Sequence, residues 1–273
     1  MFGKLLKYEI KHSSRYVLSI YICAAAAAAF MLLGMLAKVT WISVLGSIVL
    51  YTVGFAVVIM TLVSVIKNFY DSLYGAQGYL SFTLPVKCSS LLFSKVVVSF
   101  FWIILSCVAL ALMFVLIFLN AKAQSGSSFT GIYDAMKISG ILDMLPSGAM
   151  IVKFLIIMGV LALLNILVFV GFVYFAVTLA NTRALQKHPK LFGFLIFAGT
   201  YGFSNSLSAK LTTSIPLSVE ITTEKVSIVF SSMDSAGQAL ASFGIAGTIF
   251  MALVATGLLV ATGWIMEHKV NIK

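Results

Sequence analysis

The stretch Val96–Leu119, VVVSFFWIILSCVALALMFVLIFL, contains no charged residue and no proline. About 20 consecutive apolar residues suffice for a helix to cross the ~30 Å hydrocarbon core of a bilayer. Read outward from this run, the chain divides into six expected spans: Tyr16–Leu36, Trp41–Ile66, Val96–Leu119, Ala149–Ala180, Leu191–Ala209 and Ala239–Ile265. Composition agrees, since the 273 residues are 61% hydrophobic and only 10% charged, against roughly 25% charged in soluble domains. Mean hydropathy is +1.11. The runs are continuous, unlike the ~10-residue alternating segments of outer-membrane barrels. The expected fold is an all-α integral membrane protein forming a single transmembrane domain over 1–273.

The fifth expected span is the weakest, because Gly193, Gly199, Gly202, Ser204 and Asn205 dilute it. A re-entrant hairpin is the rival reading there. The fourth is longer than a perpendicular crossing needs, so it tilts or projects. Cys23, Cys88 and Cys107 show no CxxC spacing and no disulfide framework; the two within apolar runs are expected to be small buried thiols.

The formal charge of +10 serves as a topology signal. With the N-terminus in the cytoplasm, the inner segments hold twelve basic residues, among them Lys4, Lys7, Lys11, Arg15, Lys67, Lys87 and Lys95. The outer segments hold six, Lys38, Lys122, Lys137, Lys153, Lys210 and Lys225. The positive-inside rule therefore predicts both termini in the cytoplasm. Residues 1–15 place Phe2, Leu5, Leu6 and Ile10 at helical spacing, with Lys4, Lys7 and Lys11 on another face. An amphipathic helix lying at the inner interface, against anionic lipid headgroups, is expected. The following run reaches spanning length without a clear cleavage site, so it is read as a retained span and not a signal peptide.

Two outer segments carry patterns. Within 120–148, Phe129, Ile132, Tyr133, Met136 and Gly140 predict a short amphipathic helix. Within 210–238, Val219/Ile221 and Val226/Ile228/Phe230 alternate around Thr-Glu-Lys and predict a small hairpin. Both either cover an exit path or pack on the outer helix ends.

The spans contain no Asp, Glu, Lys, Arg or His in their interiors, whereas pumps and ion-driven transporters carry such groups. The chain has no GxxxxGK[ST] phosphate cradle, no HExxH and no pair of intramembrane carboxylates. A membrane enzyme is the remotest class. The polar groups inside the spans are mild, including Ser99, Ser106, Asn165, Thr178, Thr200 and Asn205. Ser106, Asn165 and Asn205 are candidates for a substrate path, with an interhelical hydrogen bond as the other reading of Asn165. Ala24–Ala29 offers a small-residue face for close helix approach.

The longest inner loop is 67–95. Asn68 is expected to cap a short helix bearing Phe69, Tyr70, Leu73 and Tyr74, ended by Gly75 and Gly78. Leu80, Phe82 and Leu84 then alternate, and Pro85 keeps Leu84 extended. Ser89 or Ser90 would start the next helix. So much aromatic surface either packs on its own helix ends or docks on a cytoplasmic partner.

The segment GYLSFTLPV, Gly78–Val86, preceded by Phe69-Tyr70 and followed by Ser94-Lys95, resembles the corresponding loop of small bacterial ABC transporter permeases of the type-2 exporter class. The opening MFGKLLKYEI is similar to the start of those proteins, and the six-span plan covers the whole chain. The chain departs from many of them in carrying Ala76-Gln77 where they have an acidic residue.

The resemblance implies a permease subunit of an ABC exporter in the bacterial cytoplasmic membrane. This chain would bind no cofactor, with ATP and Mg held by a separate ABC ATPase subunit. It implies pairing with a second permease copy, identical or related, among membrane lipids and without nucleic acid. It makes 1–15 an elbow helix. It also makes Phe69, Tyr70, Asp71, Leu73, Tyr74 and Gly75 the coupling element contacting the ATPase, with Gly78, Tyr79, Leu80, Phe82 and Pro85 fixing its angle. Lipids, peptide antibiotics and drug-like amphipathic molecules are the expected cargo. The alternative is a non-transporting scaffold or sensor that recruits a cytoplasmic partner through 67–95.

Overall fold

The computed structural model describes residues 2–37, 39–75, 78, 88–125, 148–182, 185, 187–215, 217–221, 226–230 and 241–268. Among them are six long helices: α1 (Phe2–Leu36), α2 (Thr40–Leu73), α3 (Cys88–Ser125), α4 (Gly148–Ala180), α5 (Pro189–Ser214) and α6 (Ile245–His268). Three short strands lie between α5 and α6. Five of the helices, all but α5, are long and apolar enough to cross a membrane. Only 17–28% of an 18-residue apolar stretch in each is buried, so most of its side chains face outward, as helices in lipid do and helices in water do not. Leu36, Trp41 and Val260 are each more than 70% exposed. The chain is a helical protein built for a multi-pass membrane position.

Two compact units divide it, Met1–Asp134 and Ala135–Lys273. In the first, α1, α2 and α3 pack on one another. The α1–α2 contact is made by small residues. Ala24 and Ala27 are buried with Met31, Leu50, Val57 and Met113, while Ala25, Ala26 and Ala29 are exposed. Helices meet closely where side chains shrink, and dispersion contacts replace the absent hydrophobic drive in lipid. Gly46 is where α2 comes nearest: a Cβ there would lie 2.7 Å from the Cα of Met31.

The spanning part of α1 runs over Val17–Leu36, against the expected Tyr16–Leu36, and it is continuous with the residues that precede it. Between Lys4 and Ala29 there is no glycine or proline to break a helix, and α1 runs through without interruption. Its first turns are not solely a lipid-facing surface either: Leu6 and Ile10 pack with Val17, Val98 and Trp102. Likewise Asn68 does not cap a new helix. Residues 66–73 contain no helix breaker, so α2 continues to Leu73. The start of α3 at Cys88 precedes Ser89 and Ser90 and brings Lys95 well inside the helix.

The second unit packs α4, α5 and α6 together. Its core joins Val168, Phe172 and Ala255, with Phe197 and Tyr201 against them. Phe172 meets Tyr201 edge-on at 5.5 Å between ring centroids, and Phe197 stacks on Tyr201 at 5.6 Å; such pairs add ~0.5–1.5 kcal/mol beyond area burial. Helix α5 is one uninterrupted helix with no reversal, which removes the re-entrant hairpin. Its glycines and polar residues lower its apolarity but do not break it.

The expected hairpin forms: β1 (Leu217–Ile221) pairs antiparallel with β2 (Val226–Phe230), Val219 opposite Ile228. A third strand, β3 (Ala241–Gly244), pairs with the other edge of β1, giving the order β2-β1-β3. Its residues were expected in the last span, so that span begins only at Ile245. The amphipathic helix expected around Phe129–Gly140 lies outside the described residues.

Gly46→Leu is expected to lower the stability of the purified protein by several kcal/mol, because the backbone of Met31 stands where the side chain must go. Gly159→Leu, at a position with open space around it, serves as the control. Thermal unfolding in mild detergent measures both.

Candidate functional site

The described residues place an ion pair at the centre of the first unit. Lys95 on α3 sets its Nζ 2.6 Å from Glu9 Oε1 on α1, and donates a second bond of 2.6 Å to Ser72 Oγ on α2. The Lys95 side chain is 1% exposed and that of Glu9 13%. One ammonium group therefore joins three helices. A lone charge in such surroundings costs several kcal/mol, and a partner with good geometry offsets that cost. The span was expected to begin after Lys95, at Val96. It begins at Cys88 instead, and the lysine turns inward because a carboxylate and a hydroxyl meet it there.

Three chains of donors rise from this level along the interior of the unit, and each ends on a helix carbonyl. Lys95 donates to Ser72, whose Oγ donates to Phe69 O at 3.3 Å. Trp102 Nε1 donates to Ser13 Oγ at 2.8 Å, and Ser13 donates to Glu9 O at 2.8 Å. Ser106 donates to Thr61 Oγ1 at 2.7 Å, and Thr61 donates to Val57 O at 2.7 Å. With the Ser106 proton so committed, Tyr21 OH is the donor in its 2.7 Å contact with Ser106. Ser13, Thr61, Ser72 and Ser106 each both give and receive, which is what a dry interior demands. Toward the opposite end of α3, Asn120 Nδ2 donates to Ser43 O of α2 at 2.9 Å.

The end of α2 carries the residues singled out in sequence. Phe69 and Leu73 are fully buried within their own unit, while Tyr70, Asp71 and Tyr74 are half-buried. Tyr74 lies 6.3 Å from each of the Phe69 and Tyr70 rings. The helix stops where Tyr70 O accepts from both Tyr74 N and Gly75 N. Gly78 N then bonds back to Gly75 O at 2.9 Å. A Cβ on Gly78 would collide with Leu73 O, and one on Gly75 would stand 2.6 Å from Asp71 O. A side chain at either position would force the backbone to shift. Tyr79, Leu80, Phe82 and Pro85 lie outside the described residues.

Of the residues expected to line a substrate path, Ser106 belongs to the first unit and Asn165 and Asn205 to the second. Ser106 is buried inside the first unit and committed to the chain above. Asn165, on α4, is exposed and donates to Leu161 O on its own helix at 2.9 Å. Asn205, on α5, is also exposed. Among the described residues no group of three or more His, Cys, Asp or Glu could hold a metal ion, and Cys23 and Cys107 are exposed, not buried as expected.

Sequence reasoning missed the ion pair. One signal was available: Glu9 is among only eight acidic residues, and it stands one helical turn before Ser13, on the face that carries Leu6, Ile10 and Val17.

Removing either charge tests the asymmetry of this pair. Glu9→Gln strands an ammonium that is 1% exposed and is expected to cost about 3 kcal/mol or more, whereas Lys95→Met leaves a carboxylate that water reaches and should cost less. Equal losses, measured by unfolding in detergent, would refute the asymmetry. Comparison with protein-family models, curated proteins and solved structures returns no match to this chain.

Proposed function

We propose that the chain is the transmembrane permease subunit of an ABC exporter, coupled to a separate ATP-hydrolysing subunit. The observation that carries this reading is the tip of α2. At ~1.5 Å per residue its 34 residues extend about 50 Å, some 20 Å more than a bilayer core requires. The surplus ends in Tyr70, Asp71 and Tyr74, immediately before the Gly78–Val86 segment that resembles the coupling loop of such permeases. Phe69 and Leu73 anchor the tip from inside, which leaves Tyr70, Asp71 and Tyr74 as the surface for a partner.

In this reading all six long helices cross the bacterial cytoplasmic membrane, α5 included, and both termini face the cytoplasm. The excess of basic residues in the inner segments supports that orientation. The first turns of α1 act as the elbow element at the inner surface. ATP and Mg sit on the partner, in keeping with the lack of a phosphate-binding motif here. A second permease copy completes the pathway, and an amphipathic molecule such as a lipid or peptide is exported.

Co-purification in mild detergent tests the proposal. A stable partner with a phosphate-binding loop is expected; a stable partner of any other kind would favour a scaffold or sensor. In the complex, Tyr70→Ala with Tyr74→Ala should lower substrate-stimulated ATP hydrolysis about tenfold or more while membrane insertion is unchanged, the two tyrosines acting as aromatic anchors worth ~2 kcal/mol or more.

A further inference from the structure

Outside the three donor chains, the first unit holds two buried amide oxygens without a partner, Asn120 Oδ1 toward one end of α3 and Asn68 Oδ1 beside the Lys95 cluster. Asn68 Oδ1 is buried and has no hydrogen-bond partner within the protein. It borders a cavity of ≈ 10 Å³ lined by Ser13 and Val17 of α1, Ser64 and Val65 of α2, and Val98, Ser99 and Trp102 of α3. We propose that this cavity is a binding site for a single structural water, held between Asn68 and the serine hydroxyls.

Size, chemistry and position each support it. One water needs roughly 10–15 Å³ by this measure and two to four polar partners. The cavity offers that space, and Asn68 with Ser13, Ser64 and Ser99 supplies the polar groups. None of the lining residues is charged, so nothing there would hold an ion by charge. The space is too small for an organic ligand. A water donates and accepts, so it satisfies the Asn68 amide whichever way that amide faces. Left unmet, a buried acceptor costs ~1–3 kcal/mol. Asn68 stands one helical turn from Ser72 and Ser64 on α2, so the water lies between the Lys95 cluster and the Tyr21–Ser106–Thr61 chain. The inference does not depend on the proposed function.

A structure of the complete protein at a resolution that shows ordered waters, about 2 Å or better, decides the matter. The expected result is one peak 2.6–3.2 Å from Asn68 Oδ1, a hydrogen-bonding distance, and within the same reach of at least one serine hydroxyl. In Asn68→Leu, which removes the acceptor and fills the space, the peak should be lost. An empty cavity, a peak with five or more oxygen neighbours, or a peak that persists unchanged in Asn68→Leu overturns the proposal. Where the variant does not fold, the parent map alone gives the answer.

Discussion

Everything in the first unit is arranged around one demand: the Lys95 ammonium, sealed from solvent, needs oxygen on more than one side. Glu9 supplies the charge and Ser72 the second acceptor. Those two residues lie on different helices, so the helices must keep a common register for the lysine to be satisfied. A hydrophobic contact would tolerate sliding by a fraction of a turn; a buried charge does not, because the unpaired state costs several kcal/mol. The ion pair thus contributes specificity of arrangement, whatever its net contribution to stability.

The remaining polar groups obey the same logic at lower stakes. In the first unit Ser13, Thr61 and Ser72 each donate to a helix carbonyl and Ser106 to Thr61, so the three chains close on the backbone. Such contacts are individually modest in a membrane protein, about 0.6 kcal/mol on average. Their sum with the small-residue seam of Ala24, Ala27 and Gly46 is what holds helices whose outward faces are apolar all round. The described residues of the second unit pack around an aromatic cluster of Phe169, Phe172, Phe197 and Tyr201.

The existence of the long helices was legible because an apolar run of more than twenty residues has few other fates. The β1–β2 hairpin was legible because alternation survives in so short a segment. Helix ends were less so. Lys95 looked like a boundary marker because charge normally sits at the edge of a span, yet this charge is paired inside the unit. Pairing depends on contacts 86 residues apart, which local pattern does not contain. The burial of Phe69 and Leu73 was hidden for a related reason. Aromatic residues at i and i+4 predict a sticky helix face without saying whether the chain itself covers it.

This burial changes how the end of α2 is to be understood under the proposed function. A loosely attached coupling loop would absorb a partner's motion in its own bending. Here the tip is the last part of one uninterrupted helix, fastened from inside by Phe69 and Leu73, with Ser72 between them bonded to Lys95. A displacement applied at Tyr70 or Tyr74 would have no hinge to dissipate it before reaching that bond. It would be felt on α1 through Glu9 and on α3 through Lys95 together. Rigid elements joined by polar contacts are one physical basis on which distant sites come to be coupled, and the Glu9–Lys95–Ser72 cluster places such a contact within one turn of the half-buried Tyr70 and Tyr74.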